Sequence, residues 1–230
     1  MNNVTTKIYI ADTTELEDEI SYQRAYRMVT VERQKKADRF RSRKGKRLSV
    51  GVEFLLMQGL QAWGLKRSDV TFRYGARGKP YLAGEHGVFF NLSHSGDLVV
   101  CAISNREIGC DVQKLMDKKM NVAEHFFARE EYEAILNQPS ERERQEMFFR
   151  LWTLKESFLK VTGEGMNLPM DSFCIHVDEG GIAVRQEYDN RNYYFQEINP
   201  GAGYQCSVCG LDPAIGTRQG ISVERCSLLF

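Results

Sequence analysis

The sequence predicts an α+β fold in two halves, and three observations carry that prediction. Each half combines helical periodicities with short strand-like runs; a tail of consecutive strands, FCIHV, IAVRQ, YYFQEI and YQCSVCG, closes the second half; and Asn105-Arg106-Glu107 breaks the pattern near the midpoint. The boundaries read as an N-terminal α+β half at 1–105, a C-terminal α+β half at 106–213 and an unassigned tail at 214–230. A chain of 230 residues suits one large domain or two small ones and can bury roughly 70 to 75% of its extended surface. Charged residues at 27% and hydrophobic ones at 42% exclude disordered and collagen-like classes.

The elements follow in order. Lys7 to Ala11 opens as a strand, and helical stretches rich in Arg, Lys and Glu come next. The longest runs from Lys46 to Trp63 and stops at Gly64. RYGARGKPYL is a loop, after which FFNLSHSGDLVVCAIS reads as two strands around a Ser95-Gly96-Asp97 turn. IGCDVQKL begins another strand, and helices are expected at Val122 to Asn137 and Arg144 to Val161. In the last helix Met147, Leu151, Leu154, Phe158 and Val161 form one apolar stripe. Glu156 points away from that stripe, flanked by Phe149, Trp152 and Lys160. Aromatic residues on a face that should be polar imply a second contact, which we take as the wall of a cleft.

Four constellations can carry chemistry. In IGCDVQKL, strand alternation puts Ile108, Cys110 and Val112 on one face and Gly109, Asp111 and Gln113 on the other. Asp111 is either a solvated strand-end carboxylate or, together with Glu156, half of a site for a hard cation such as Mg²⁺, whose remaining positions are filled by water and phosphate oxygens. His94, among Ser93, Ser95 and Gly96, is either a structural histidine or a phosphate contact at a hairpin. No nucleophile elbow surrounds Ser93, which argues against a hydrolase triad. The segment Arg24 to Arg47 holds eleven Lys or Arg against Glu32 and Asp38 in a chain of zero formal net charge, and Arg33 and Lys36 share a helix face suited to a phosphomonoester. That segment lacks the aromatic platforms or groove-reading motif of a nucleic-acid binder, so no nucleic-acid partner is expected. Gly78-Lys79-Pro80 is a plain turn or a loop that lets a ligand approach the backbone closely.

Six cysteines lie scattered in apolar surroundings, as reduced core thiols do, and Cys206-Ser-Val-Cys209 sits in a strand without a second ligand pair. No apolar stretch approaches the ~18 residues of a membrane helix, so no membrane partner and a cytoplasmic location are expected.

The order GKPYL, FFNLSHSGDLVVCAIS, IGCDVQKL, FFAREEY, FFRLWTLKESFLKVTGEGMNLPMDSF resembles the 4′-phosphopantetheinyl transferases of the Sfp type, from about Ile8 to Gly210. The resemblance implies a pseudo-dimer of two similar α+β halves with coenzyme A in the cleft between them. It implies an Mg²⁺-dependent enzyme that moves the phosphopantetheine arm of coenzyme A onto a serine of an apo acyl or peptidyl carrier protein, releasing adenosine 3′,5′-bisphosphate. Asp111 and Glu156 would bind Mg²⁺, with Gln113 replacing the second carboxylate common in relatives. Lys155 and Lys160 would assist with phosphate charge, and Trp152 would pack in the motif helix. Ser93 and His94 would meet the phosphates, Arg33, Lys36 and Arg47 the 3′-phosphate, and Gly78, Lys79 and Pro80 the adenine. Glu156 is the candidate for removing the serine proton. Leu48 stands where relatives can carry a hydroxyl, and the tail after Gly210 matches nothing clearly. KLMDKKMNVAEHFF, with Lys114, Lys118, Lys119, Leu115, Met116, Met120 and Val122, is the expected carrier-docking stretch. A monomer is expected. The rival reading is a non-catalytic module that binds coenzyme A or carrier protein.

Overall fold

The computed structural model describes residues 6–84, 86–116, 121–217 and 219–229; the side chains of 121 and 122 are not described. The first half contributes β1 (Thr6–Asp12), α1 (Glu19–Met28), α2 (Val31–Asp38), α3 (Arg43–Ala62), a small hairpin of β2 (Phe72–Tyr74) and β3 (Pro80–Leu82), then β4 (Phe89–Ser95) and β5 (Leu98–Ser104). From the second half come β6 (Ile108–Lys114), α4 (Asn121–Phe126), α5 (Arg129–Leu136), α6 (Glu141–Thr162), the hairpin β7 (Cys174–Asp178) and β8 (Gly181–Arg185), β9 (Tyr194–Ile198) and β10 (Tyr204–Gly210). The tail adds β11 (Ile221–Arg225).

Two sheets stack face to face, each covered outside by a helix. The first runs β11-β1-β5-β4 and the second β6-β10-β9. Tyr9, Val99, Cys101 and Ile103 face α3 in one core. Ile8, Ile10, Val100 and Ala102, the alternate residues of the same strands, meet Ile108, Cys110, Val112, Cys206 and Val208 of the other sheet in a second. Phe195 and Cys209 turn outward against Leu154, Phe158 and Val161 of α6 in a third. Covered on both faces, β5 has all seven residues buried, which is why LVVCAIS reads as a continuous apolar run.

The tail is not an appendage. β11 pairs parallel to β1, with Thr6 opposite Ile221 and Ile10 opposite Arg225. Leu228 is wholly buried among α3 residues, and the Glu15 carboxylate accepts from its backbone N–H at 2.6 Å. The last strand of the chain therefore completes the sheet of the first half.

Local capping explains where helices depart from the expected limits. α3 begins three residues before Lys46 because Ser42 accepts from Gly45 N. It ends where Gly64 takes φ +83°. α6 likewise starts at Glu141 because Ser140 and Glu143 bond each other reciprocally, and it stops at Gly163, φ +79°. The single helix expected from Val122 to Asn137 is instead two. Between them Glu131 turns its carboxylate onto Ala128 N at 2.8 Å and Ile175 N at 2.7 Å, starting α5 afresh against β7.

Two contacts fix β6. A Cβ on Gly109 would lie 2.1 Å from Ser157 O and 2.6 Å from Val161 N, so only glycine lets α6 rest directly on the strand. On its free edge, β6 bonds to side chains of β4 rather than to its backbone. Cys110 N donates to Asn91 Oδ1 at 2.9 Å, Val112 N to Ser93 Oγ at 3.2 Å and Lys114 N to Ser95 Oγ at 3.0 Å. Every second residue of β4 thus serves as a rung joining the two sheets.

Replacing Gly109 by Ala should force helix and strand apart. The expected loss is about 1–3 kcal/mol, measured by denaturant unfolding; an unchanged midpoint would contradict this packing.

Candidate active site

The helix stripe behaves as its periodicity predicts: Leu151, Leu154, Phe158 and Val161 are buried and Met147 is half-buried. The opposite face divides. Phe149 is buried in the second half's core, and Trp152 stacks on Phe148 (5.7 Å, 18°) and meets Phe126 edge-on. These aromatics therefore seat α4 on α6 rather than line a cleft. Only Glu156 and Lys160 of that face reach the groove.

Asp111, two residues beyond Gly109 and on the same side of β6, is 2% exposed. Lys160 Nζ donates to its Oδ1 at 2.6 Å, Ser93 Oγ to the same oxygen at 2.8 Å, and Gln113 Nε2 to Oδ2 at 3.0 Å. Lys160 also donates to Cys110 O and Ser93 Oγ, both at 3.0 Å. Burial alone would lower the Lys160 pKa, but the Asp111 and Glu156 carboxylates outweigh it and hold it above the ordinary value. Glu156, one turn earlier, is raised by burial and then by Asp111, with Lys160 opposing. Two carboxylates that feel each other's charge beside one cation have the hard-oxygen chemistry that Mg²⁺ takes. The donor set fits such an ion through Asp111 and Glu156. Gln113 is placed differently from the expectation: its NH₂ holds Asp111, while its carbonyl oxygen accepts from Ser95 Oγ at 3.4 Å.

Three further expectations need correction. Ser93 is 6% exposed, and its hydroxyl is consumed by Asp111, Val112 N and Lys160, so it positions the aspartate instead of meeting a phosphate. Lys155 is fully buried on the other side of α6, where Nζ pairs with Glu131 at 2.8 Å, bonds Met170 O and Phe173 O at 2.7 Å and lies 4.0 Å above the Phe173 ring. Arg47 is 7% exposed and neutralises Glu17 and Asp97 at the hairpin turn, outside the groove.

The groove consists of three adjoining cavities of about 290, 120 and 270 Å³, with Pro80 and Leu92 common to all three; residues of both halves wall the first, and first-half residues the other two. At the inner end stand Glu156, Lys160 and Lys79. Lys79 donates to Lys160 O at 2.5 Å and Val161 O at 3.2 Å, capping the carboxyl end of α6 from the loop of the first half. Burial lowers its pKa to about 8. Gly78, φ +80°, supplies the turn before it. The middle cavity sets Leu56, Phe72, Phe90 and Pro80 beside the charged Glu32, Arg33, Lys36 and Glu53 in its wall.

Arg33, Lys36 and His94 line the outer end. His94 is exposed by area, yet crowding by neighbouring atoms lowers its pKa, and Lys160, Lys36 and Arg33 add to the effect. Lys36 is lowered by burial and then by Arg33.

Two residues here escaped the sequence reading. Glu53, 3% exposed, accepts from Arg33 Nε at 2.8 Å and from Thr30 N and Oγ1 at 2.7 and 2.6 Å, holding the arginine in place. A lone acid inside the apolar run GVEFLLM was its signal. Ser49, beside Leu48 in the outer cavity, has a buried hydroxyl without a partner among the described residues.

Comparison with known proteins places this arrangement. A family model described as "4′-phosphopantetheinyl transferase, N-terminal" matches residues 17–106, and that of the "4′-phosphopantetheinyl transferase superfamily" matches 107–209. The 4′-phosphopantetheinyl transferase psf-1 of Bacillus pumilus is 33% identical over 188 residues, 81% of this chain and 80% of that one. The chain belongs to the 4′-phosphopantetheinyl transferase superfamily. Similar transferases include one from Bacillus subtilis, 29% identical over 80% of this chain and 83% of its own. Another is Sfp of B. subtilis strain 168, 33% identical over 65% and 66%. The protein is accordingly a transferase with the α+β fold of that superfamily.

Truncating Lys155 to Met should leave the Glu131 carboxylate buried without its cation, at a cost of about 3–5 kcal/mol. The double replacement with Glu131→Gln should recover part of that loss, as read by chemical denaturation; equal stabilities for single and double variants would refute the pairing.

Proposed function

We propose that this transferase moves the 4′-phosphopantetheine arm of coenzyme A to a serine hydroxyl of an apo acyl or peptidyl carrier protein, with Mg²⁺, and releases adenosine 3′,5′-bisphosphate. The observation that supports it most is the convergence of Asp111 and Glu156 with Lys160 at the inner end of a cation-lined groove. The groove's order suits coenzyme A. Lys160 and Lys79 meet the diphosphate, the Leu56, Phe72 and Phe90 wall of the middle cavity accepts the adenine beside Gly78 and Pro80, and Arg33, Lys36 and the free hydroxyl of Ser49 receive the 3′-phosphate.

When bound, Mg²⁺ held by Asp111 and Glu156 supplies charge neutralisation at the diphosphate. The protein's own groups do the rest. The serine oxygen bonds to the phosphorus that carries pantetheine, the bond to the bridging oxygen breaks, and its electron pair leaves on adenosine 3′,5′-bisphosphate. Glu156, whose burial raises its proton affinity, takes the serine proton. Lys79 and Lys160 stabilise the charge that develops on the leaving group. Gln113, held as a donor to Asp111, keeps that carboxylate oriented.

The two halves are taken as 1–105 and 106–213 about this cleft, in a cytoplasmic monomer. Among the described residues no helix is long and apolar enough to cross a membrane. The carrier meets the stretch after β6, where Met116 is 52% exposed and the Lys114 ammonium lies over the Tyr204 ring at 5.9 Å. Lys118, Lys119 and Met120 of that stretch, and the Val122 side chain, lie outside the described residues.

Weighing the apo carrier after incubation with coenzyme A, Mg²⁺ and enzyme tests the reading. Attachment of one phosphopantetheine is expected, and turnover should fall about 10²–10⁴-fold in Glu156→Gln; an unmodified carrier across a panel of acyl and peptidyl types would reject it.

Lys79 gives a pH signature. Its pKa near 8 in the free protein must rise beside an anionic diphosphate. Binding therefore takes up a proton above pH 8, and affinity falls as pH increases from there toward the bound-state value. Calorimetry at pH 8.5 in buffers of different ionisation heat should detect that uptake, and Lys79→Met should abolish it; uptake that persists in the variant would assign it elsewhere.

A further inference from the structure

Away from the groove, α5 and β7 bring together three side chains that the reaction does not use. Cys174 and His176, two apart on β7, project to one face of the strand. Glu130, in the first turn of α5, reaches over them. Its Oε2 lies 3.7 Å from Cys174 Sγ and 3.9 Å from His176 Nε2, and all three donor atoms fall within 4.8 Å of one another. Tetrahedral zinc, with bonds of about 2.0 to 2.3 Å, places its ligand atoms roughly 3.3 to 3.8 Å apart. The cluster needs to contract only slightly to surround such an ion.

The frame is already rigid at this point. Glu131, next to Glu130, accepts from the N–H of Ile175, the residue between the two strand ligands, so α5 and β7 are tied together between the donor atoms. Cys174 is 2% exposed while the side chains of His176 and Glu130 are 41% and 54% exposed, which puts the sulfur at the floor and leaves an open side for a water or a fourth ligand. Arg185 pairs with Glu130 through Oε1 at 2.8 Å, leaving Oε2 for an ion, and an ion pair this exposed contributes little resistance. One sulfur, one imidazole nitrogen and one carboxylate oxygen form a borderline-soft set that prefers zinc to magnesium, unlike the all-oxygen pair of the groove.

We propose that Glu130, Cys174 and His176 form a zinc site that cross-links α5 to the β7–β8 hairpin, separate from the catalytic centre. On binding, the metal–sulfur bond replaces the sulfur–hydrogen bond, and the proton leaves to solvent.

Cobalt(II) is the probe, because a thiolate ligand gives it a sulfur-to-metal charge-transfer band that oxygen ligands in the groove cannot produce. Titrating metal-free, reduced, full-length enzyme with Co²⁺ should produce that band at one equivalent, and Zn²⁺ should bleach it. Cys174→Ser should remove the band, Cys226→Ser should leave it, and His176→Ala should weaken Co²⁺ binding at least tenfold. Should Cys174→Ser not fold, His176→Ala and Glu130→Gln, both on half-exposed side chains, decide the matter. No charge-transfer band in the wild type, a band that survives Cys174→Ser, or unchanged affinity in both surface variants would overturn the site. Carrier modification plays no part in these readouts, so they stand apart from the transferase assignment.

Discussion

The placement of β6 is the constraint on which the site depends. Its inner face packs Ile108, Cys110 and Val112 against the other sheet, its outer face accepts α6 because residue 109 has no side chain, and its free edge is bonded by Asn91, Ser93 and Ser95. Asp111 lies where all three contacts meet. A carboxylate at 2% exposure is costly unless its oxygens are satisfied, and here each oxygen is bonded by a group that is itself held: Ser93 by the strand seam, Lys160 by α6, Gln113 by the same strand. The aspartate is buried and bonded at both oxygens before any ligand arrives, which is the condition for electrostatic work without reorganisation.

The same seam gives the halves a fixed relation. Side-chain rungs between β4 and β6 and the Lys79 ammonium on the end of α6 cross from one half to the other, and the tail returns through β11 to β1 of the first half. A cleft between two bodies would otherwise be subject to hinge motion, the default for modest interdomain contacts. Here Lys79 has two duties, since the ammonium that caps α6 also faces the groove. Burial lowers its pKa to about 8, and a partly desolvated ammonium attracts an anion more strongly than one in bulk water.

Much of this was legible in the sequence, and the failures share a cause. The α6 stripe, the hairpin around Gly96 and the alternation in IGCDVQKL follow from periods of 3.6 and 2. Those periods report direction, however, and not depth or reach. Trp152 and Lys155 project where the helix dictates, but whether the far end of each meets a cleft or a core depends on what packs there: α4 for the tryptophan, Glu131 for the lysine. NLSHS shows its polar alternation plainly, yet an unpaired strand edge needing side-chain acceptors is a tertiary circumstance. β11 pairs across more than 200 residues with β1, and nothing local in ISVER names its partner. Glu53 announced itself only as a misplaced charge in an apolar run, with Arg33, twenty residues away, as its reason.

The role of Lys160 follows from the electrostatics of its neighbours. Two carboxylates brought together under burial repel, and one ordinarily takes up a proton; the raised pKa of Glu156 records that tendency. Lys160 opposes it, donating directly to Asp111 while lying one turn from Glu156. Its ammonium thus opposes the upward shift of Glu156 while it is bonded to Asp111. The side chain is 26% exposed, so the ammonium bonded to Asp111 also faces the groove. One lysine thus acts on two carboxylates, and the spacing of Glu156 and Lys160 on a single helix keeps that action local.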